Sequence, residues 1–249
     1  MRLSYRGAGY HGWQIQPHDP SVQETIERAM ATVLRHPVSL TGAGRTDTGV
    51  NARMMVAHFD VDTPIADPAL LCHKLNGIVG RDIAIHAIFP VHDDAHARFD
   101  ATSRTYKYFA HTCKSPFLYP LSWRCHADLD FALMNEAAAR LLEYSDFTSF
   151  SKLHTDVKTN ICHITRARWE REGEQWVFTI TADRFLRNMV RAIVGTLVEV
   201  GMHKITVEEF CRIIEERDRC KAGESMPGHA LFLWEITYSN AQCTMHNAQ

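Results

Sequence analysis

The hydrophobic spacing of this chain changes period in a fixed order, and that order limits the folds open to it more than any single motif does. "LSYRG" alternates apolar and polar residues as a strand does, then enters a turn spaced by Gly7, Gly9 and Gly12. "PSVQETIERAMATVLRHP" places Val22, Ile26, Ala29, Met30, Val33 and Leu34 at helical spacing, with Ser21 and Glu24 set as a capping box and Pro37 as the stop. "VSLTG" and "ARMMVAHFDVD" read as strands, the second carrying Met55, Ala57, Phe59 and Val61 on one face. Asp67-Pro68 opens a second helix through Leu70, Leu71 and Leu75, and "DIAIHAIFPV" is the strand after it. The order β-α-β-β-α-β is that of a ferredoxin-like unit.

At "SRTYKYFAHT" the cycle restarts. A helix is expected from Leu129 to Leu142, a hairpin joins "ITRARWE" to "QWVFTIT" across Gly173, and a long helix "FLRNMVRAIVGTLVEV" stops at Gly201. Thr206 and Glu209 cap a further helix, "VEEFCRIIEER", and "ALFLWEITY" is the last strand. The architecture repeats without an obvious repeat of sequence, and no low-complexity linker separates the halves. The expectation is an α+β fold of two ferredoxin-like (RRM-like) halves, 1–105 and 106–249, whose antiparallel sheets join into one extended sheet with helices on one side. Alternation is already under way at Leu3, so the first strand is expected to extend upstream of Met1.

The composition, 45% apolar and 22% charged, is that of an ordinary globular protein. No apolar run approaches the ~20 residues of a membrane span, and "MRLSYRGAGYHGW" lacks the apolar core of a signal peptide, so a cytoplasmic location without membrane contact is expected. The seven cysteines (Cys72, Cys113, Cys125, Cys162, Cys211, Cys220 and Cys243) are scattered and never spaced C-x-x-C, which points to reduced thiols. "HDDAH", His92 to His96, follows a strand directly and reads as a solvated loop, not a metal site; Cys125-His126 and Cys162-His163 lack a second ligand pair at finger spacing.

A net charge of −2 gives no global reason to expect a nucleic acid. Locally the balance differs. Between Arg98 and Arg124, the basic residues Arg98, Arg104, Lys107, Lys114 and Arg124 stand against one acid, Asp100, interleaved with Tyr106, Tyr108, Phe109, Phe117 and Tyr119. Cations for phosphates and aromatic faces for bases are what an RNA surface combines, although an exposed strand with a solvated charged face has the same composition.

"GAGRTDTGVNA", Gly42 to Ala52, carries Asp47-Thr48-Gly49, the letters of an aspartic protease. Such a protease needs two carboxylates sharing a proton, hence two D-[TS]-G loops or a short chain that dimerises around one. This chain has one such loop, is too long for the short kind, and sets Arg45 where an apolar strand should bury the dyad.

"AGRTDTGVNA" instead resembles the A-G-R-T-D-A-G-V-H-A motif of the tRNA pseudouridine synthases of the TruA family. The resemblance runs along nearly the whole chain: "YRGAGYHGWQIQ", "SVQETIERA", "ARFDATSRTYKY", "DFTSF" and "FLRNMVRAIVGTLVEVG" follow in the family's order and spacing. It implies isomerisation of uridine to pseudouridine in the anticodon stem-loop, at tRNA positions 38 to 40, by a homodimer that needs neither metal nor cofactor, in a cleft between the halves.

Position by position, the resemblance makes Asp47 the catalytic carboxylate and Arg191 the arginine that pairs with it and keeps it ionised. It makes Tyr106 the tyrosine that stacks on the target uracil, and Arg45 the arginine that takes the place of the flipped nucleotide and contacts phosphate. Arg98, Arg104 and Lys107 are the further candidates for RNA contact. The sequence departs from the family pattern at Asn51, where a His is usual, at Val79-Gly80 for a common Leu-Pro, and at Ala230, often Gly. The alternatives are a non-catalytic tRNA-binding protein, which loss of Asp47, Tyr106 or Arg191 would have marked, and a synthase acting on another RNA site.

Overall fold

The computed structural model describes residues 1–152 and 159–239. Its elements are mixed α and β, and the chain divides into two compact units, Met1–Ser103 with the chain from Leu233 onward, and Arg104–Phe232. Among the described residues no helix is long and apolar enough to cross a membrane. Cys243 lies outside them.

The first unit runs β1 (Arg2–Tyr5), α1 (Val22–Leu34), β2 (Thr41–Gly42), β3 (Asn51–His58), α2 (Pro68–Asn76) and β4 (Ile83–Ala87). Its strands lie in the order β4-β1-β3-β2 and every pair is antiparallel, with Leu3 opposite Met55 and Ile85. The helix α1 forms where the spacing predicts: Ser21 Oγ accepts from the Glu24 N–H, and Val22, Ile26, Ala29 and Met30 are buried. Each such side chain contributes roughly 1.5–3 kcal/mol if an isoleucine or methionine is fully buried. The helix stops at Leu34, three residues short of the expected Pro37, because Arg35 adopts a left-handed conformation (φ 67°) with its N–H bonded to Ala31 O.

The expected strand "VSLTG" shrinks to Thr41–Gly42. Side chains of α1 are the reason: Glu27 Oε1 accepts from the Leu40 N–H at 2.8 Å, and Gln23 Nε2 donates to the Leu40 carbonyl at 2.9 Å. Both backbone groups that a ladder would use are thereby occupied. On α2, capped by Asp67, the Asn76 carboxamide closes a similar two-way bond with the Ile85 backbone, at 2.8 Å each way.

The second unit holds most of β5 (Ala101–His111), then β6 (Trp123–Arg124), α3 (Phe131–Arg140), β7 (Ile164–Glu172), β8 (Gln175–Ala182), α4 (Met189–Gly201) and α5 (Val207–Glu216). β9 (Leu231–Tyr238) begins in this unit and ends in the first. The antiparallel order is β5-β8-β7, with β6 parallel to the end of β5. The β7–β8 hairpin turns at Gly173 (φ 61°), and Thr206 with Glu209 forms the full capping box of α5. Phe131 on α3 stacks on Trp176, and the Asn135 carboxamide bonds the Trp169 backbone in both directions. Unlike the amphipathic α1, α4 is buried nearly all round, as a helix without a polar face must be.

Candidate active site

Asp47 lies in the loop that joins β2 to β3, and that loop is held by the chain's opening segment. Trp13 N–H donates to Thr46 O at 3.2 Å, Gly49 N–H to Tyr10 O at 3.2 Å, and Val50 N–H closes a turn on Asp47 O at 3.1 Å. The buried Tyr5 hydroxyl meets Thr46 Oγ1 at 2.8 Å. Gly12, at φ +93°, passes so near the loop that a Cβ there would stand 2.3 Å from Thr46 O, so only glycine fits. Thr46 is buried and bonded, whereas Asp47 is half-buried and Arg45 exposed.

Asn51, the departure from the family's usual histidine, is one of the clamps. Its side chain is 1% exposed, and Oδ1 accepts from the Gly7 backbone N–H at 2.9 Å. The amide therefore contacts backbone. Trp13 is buried against Tyr5 and so anchors the same segment.

In the second unit, the period of two in β5 sorts the residues of "SRTYKYFAHT" onto opposite faces. Arg104, Tyr106 and Tyr108 share one face; Thr105, Lys107 and Phe109 share the other. Tyr106 is 9% exposed, and its ring meets Phe185 at a centroid separation of 5.1 Å and an interplanar angle of 83°. Tyr108 is wholly buried, and burial pushes its phenol far above the ordinary tyrosine value while the nearby Arg191 guanidinium acts in the opposite sense. The basic-aromatic surface expected from the sequence is thus divided. Tyr108 is core, Arg104 Nη1 donates to Asp183 O at 2.8 Å, and Lys107 Nζ pairs with Glu172 at 3.0 Å on the opposite face from Tyr106. Arg98, in the first unit, is exposed with its guanidinium 5.8 Å from the Phe99 ring centroid.

Arg191 sits in the first turn of α4, half-buried, and the segment Ala222–Met226 fixes it there. Arg191 Nε donates to Met226 O, while Met226 N–H returns a bond to Arg191 O at 3.1 Å. The segment reaches the helix because residue 195 is glycine: a Cβ there would stand 1.8 Å from Glu224 O. Gly223 N–H donates to Thr196 Oγ1 at 2.9 Å, and Ser225 Oγ receives Asn188 Nδ2 at 2.6 Å and Arg219 Nη2 at 3.0 Å. Gly195 thus serves close packing, as the sequence suggests, and this packing orients the guanidinium.

Tyr106 and Arg191 belong to one unit, while Asp47, Arg45 and Arg98 belong to the other. Two residues of consequence escape sequence reasoning, Phe185 and Met226. "FLRNMVR" reads as continuous helix, yet α4 begins only at Met189 because Asn188 is left-handed (φ 67°), which leaves Phe185 outside it. Met226 contributes only backbone, and no side-chain pattern reports that. Among the described residues, no three His, Cys, Asp or Glu side chains are grouped to hold a metal ion. The Cys125 thiol donates to Ala127 O at 3.2 Å, and burial pushes the Cys162 thiol up to about 12.

The tRNA pseudouridine synthase family model matches residues 137–239. Curated relatives match far more of the chain. A Parabacteroides distasonis protein named tRNA pseudouridine synthase A is 59% identical over 236 residues, covering 95% of this chain and 94% of the relative. Proteins of the same name from Bacteroides thetaiotaomicron (59%, covering 95% and 88%) and Bacillus subtilis (37%, covering 96% and 98%) extend the likeness. With the D-T-G loop, the tyrosine strand and the arginine helix all inside the matched span, the chain belongs to the tRNA pseudouridine synthase A (TruA) family.

Proposed function

We propose that this chain isomerises uridine to pseudouridine in the anticodon stem-loop of tRNA, at positions 38 to 40. The observation that carries the reading is identity of 59% over 95% of the chain to a relative named tRNA pseudouridine synthase A, with Asp47 on a loop held by the chain's opening segment. The chemistry breaks the N1–C1′ bond, rotates the uracil while it stays bound, and joins C5 to C1′; the C5 hydrogen leaves as a proton and N1 acquires one. An ionised carboxylate serves either as nucleophile at C1′ or C6 or as base at C2′, and Asp47 fills that role. Arg191, its Nε bonded to Met226 O, is the arginine that this reading assigns as partner to that carboxylate. Tyr106 stacks on the uracil. Because the target is paired or stacked in a stem, it must be extruded, and Arg45, exposed beside Asp47, fills its place and meets phosphate.

The same reading has two ferredoxin-like halves whose sheets join, with the cleft between them, acting as a cytoplasmic homodimer. The order β4-β1-β3-β2 and its β-α-β-β-α-β sequence support it for the first half. Asp47→Asn is the test. It keeps the shape of the side chain but removes its charge and nucleophilic oxygen, so tritium release from C5-labelled tRNA should cease while tRNA binding and melting temperature stay unchanged. Turnover within about tenfold of wild type would overturn the assignment of Asp47. Primer-extension mapping of carbodiimide-treated tRNA, from cells with and without the gene, checks the positions modified.

A further inference from the structure

The segment between β8 and α4 is neither strand nor helix, yet hydrogen bonds tie it down at both ends. Arg104 Nη1 donates to Asp183 O at 2.8 Å. Asp183 Oδ1 accepts from the backbone N–H groups of Arg184 at 2.7 Å and His163 at 2.8 Å, and its Oδ2 lies 3.1 Å from His163 Nδ1. Beyond Phe185, Arg187 O accepts from the Lys152 N–H at 3.0 Å, and the left-handed Asn188 then starts α4. Arg104 and Tyr106 face the same side of β5. One strand therefore carries Tyr106 and tethers the segment that carries Phe185.

What this segment presents to Tyr106 is a ring at right angles, 5.1 Å away at 83°. That is a preferred geometry for two aromatic rings. A tyrosine needs such a neighbour because its χ2 well is broad and two-fold, so the strand backbone alone leaves the plane of the ring loosely set. A ring that must lie parallel to a uracil, while that uracil detaches and turns over, requires its plane to be fixed beforehand.

We infer that Phe185 is a positioning residue for the isomerisation, acting through Tyr106 by fixing the plane of its ring. The inference rests on the role proposed above for Tyr106. It also changes the meaning of Arg104, whose bond to Asp183 makes it part of the tether.

The experiment compares Phe185→Leu, Phe185→Met and Phe185→Tyr in single-turnover isomerisation of tRNA, in tRNA binding and in thermal melting. Removing the ring should slow the isomerisation step about tenfold in both the leucine and methionine variants, with tRNA Kd within about twofold of wild type. Restoring an aromatic ring in Phe185→Tyr should bring the rate back to within about threefold. Methionine stands in should leucine fail to fold. A wild-type rate in either ringless variant that folds, a Phe185→Tyr as slow as those variants, or a loss confined to binding or melting would each overturn the inference. Asp47→Asn and Tyr106→Leu are assayed alongside. If those two isomerise normally, the reading of the site has failed; if they are inactive while Phe185→Leu is unimpaired, only the positioning role has.

Discussion

The Asn51 side-chain oxygen holds the Gly7 backbone N–H at 2.9 Å, joining the end of the Asp47 loop to the opening glycine turn across 44 residues of chain. Both groups are buried, so removing one leaves the other without its partner. Asn51→Ala should lower stability by about 1–3 kcal/mol and slow isomerisation more than it weakens tRNA binding, since the loop shifts but its charges remain. Denaturant melts and single-turnover rates check this; an alanine variant as stable and as fast as wild type would show the clamp to be dispensable.

Gly195 should not tolerate alanine. The added methyl would stand 1.8 Å from Glu224 O, a backbone atom that can move only by lifting the segment whose Met226 carbonyl holds Arg191. Overpacking of this kind costs about 1–3 kcal/mol. Gly195→Ala should therefore lose activity even at temperatures where circular dichroism reports a folded chain. Full activity in a folded variant would separate the packing of the segment from the aim of Arg191.

Acidification should weaken the first unit through His58. Its Nδ1 accepts the Ala97 N–H at 3.1 Å, a role open only to the neutral ring. Burial first, then His96 at 4.6 Å between ring centroids and the N-terminal ammonium, hold its pKa below the ordinary 6.5, while Asp60 and Asp100 pull the other way. With the folded value depressed, the unfolded chain takes up the proton first as pH falls. The stabilisation is thus complete above 6.5 and is lost on descent toward the folded value. Burial shifts His86, His111 and His229 the same way, so the whole chain should melt lower at about pH 5.5 than at about pH 7.5. His58→Asn, which keeps an acceptor that does not titrate, should lessen the drop; an unchanged drop would clear His58 of responsibility.

The basic residues should separate in a salt titration of tRNA binding. Arg45 is exposed beside Asp47, so Arg45→Gln should reduce the slope of log K against log salt by about 0.7–0.9 if it meets one phosphate. Arg104→Met and Lys107→Met remove the bond to Asp183 and the pair with Glu172. The lysine variant should leave the slope nearly unchanged, and the arginine variant should show its effect in stability and rate. A full unit of slope lost at Lys107 would show that it meets phosphate despite its pair with Glu172.

The elements that the sequence determined by itself are those whose signals are local. Ser21, Asp67 and Thr206 cap the helices they precede, Gly173 turns the β7–β8 hairpin, and alternation in β5 assigns Tyr106 and Lys107 to opposite faces. The motif Gly42 to Ala52 was legible too, because resemblance needs only the order of residues. Tertiary structure decided the rest. Leu40 is no strand residue because Gln23 and Glu27 take its backbone groups, and nothing near Leu40 announces that. Asn51 reads as a lost histidine until Gly7 is set beside it, nothing near Lys107 announces its pair with Glu172, and Phe185 reads as helix until Asn188 is seen to be left-handed. Propensity and periodicity act over a few residues, whereas these partners stand up to 65 residues apart, and a hydrogen bond or ion pair at that separation exists only once the chain has folded.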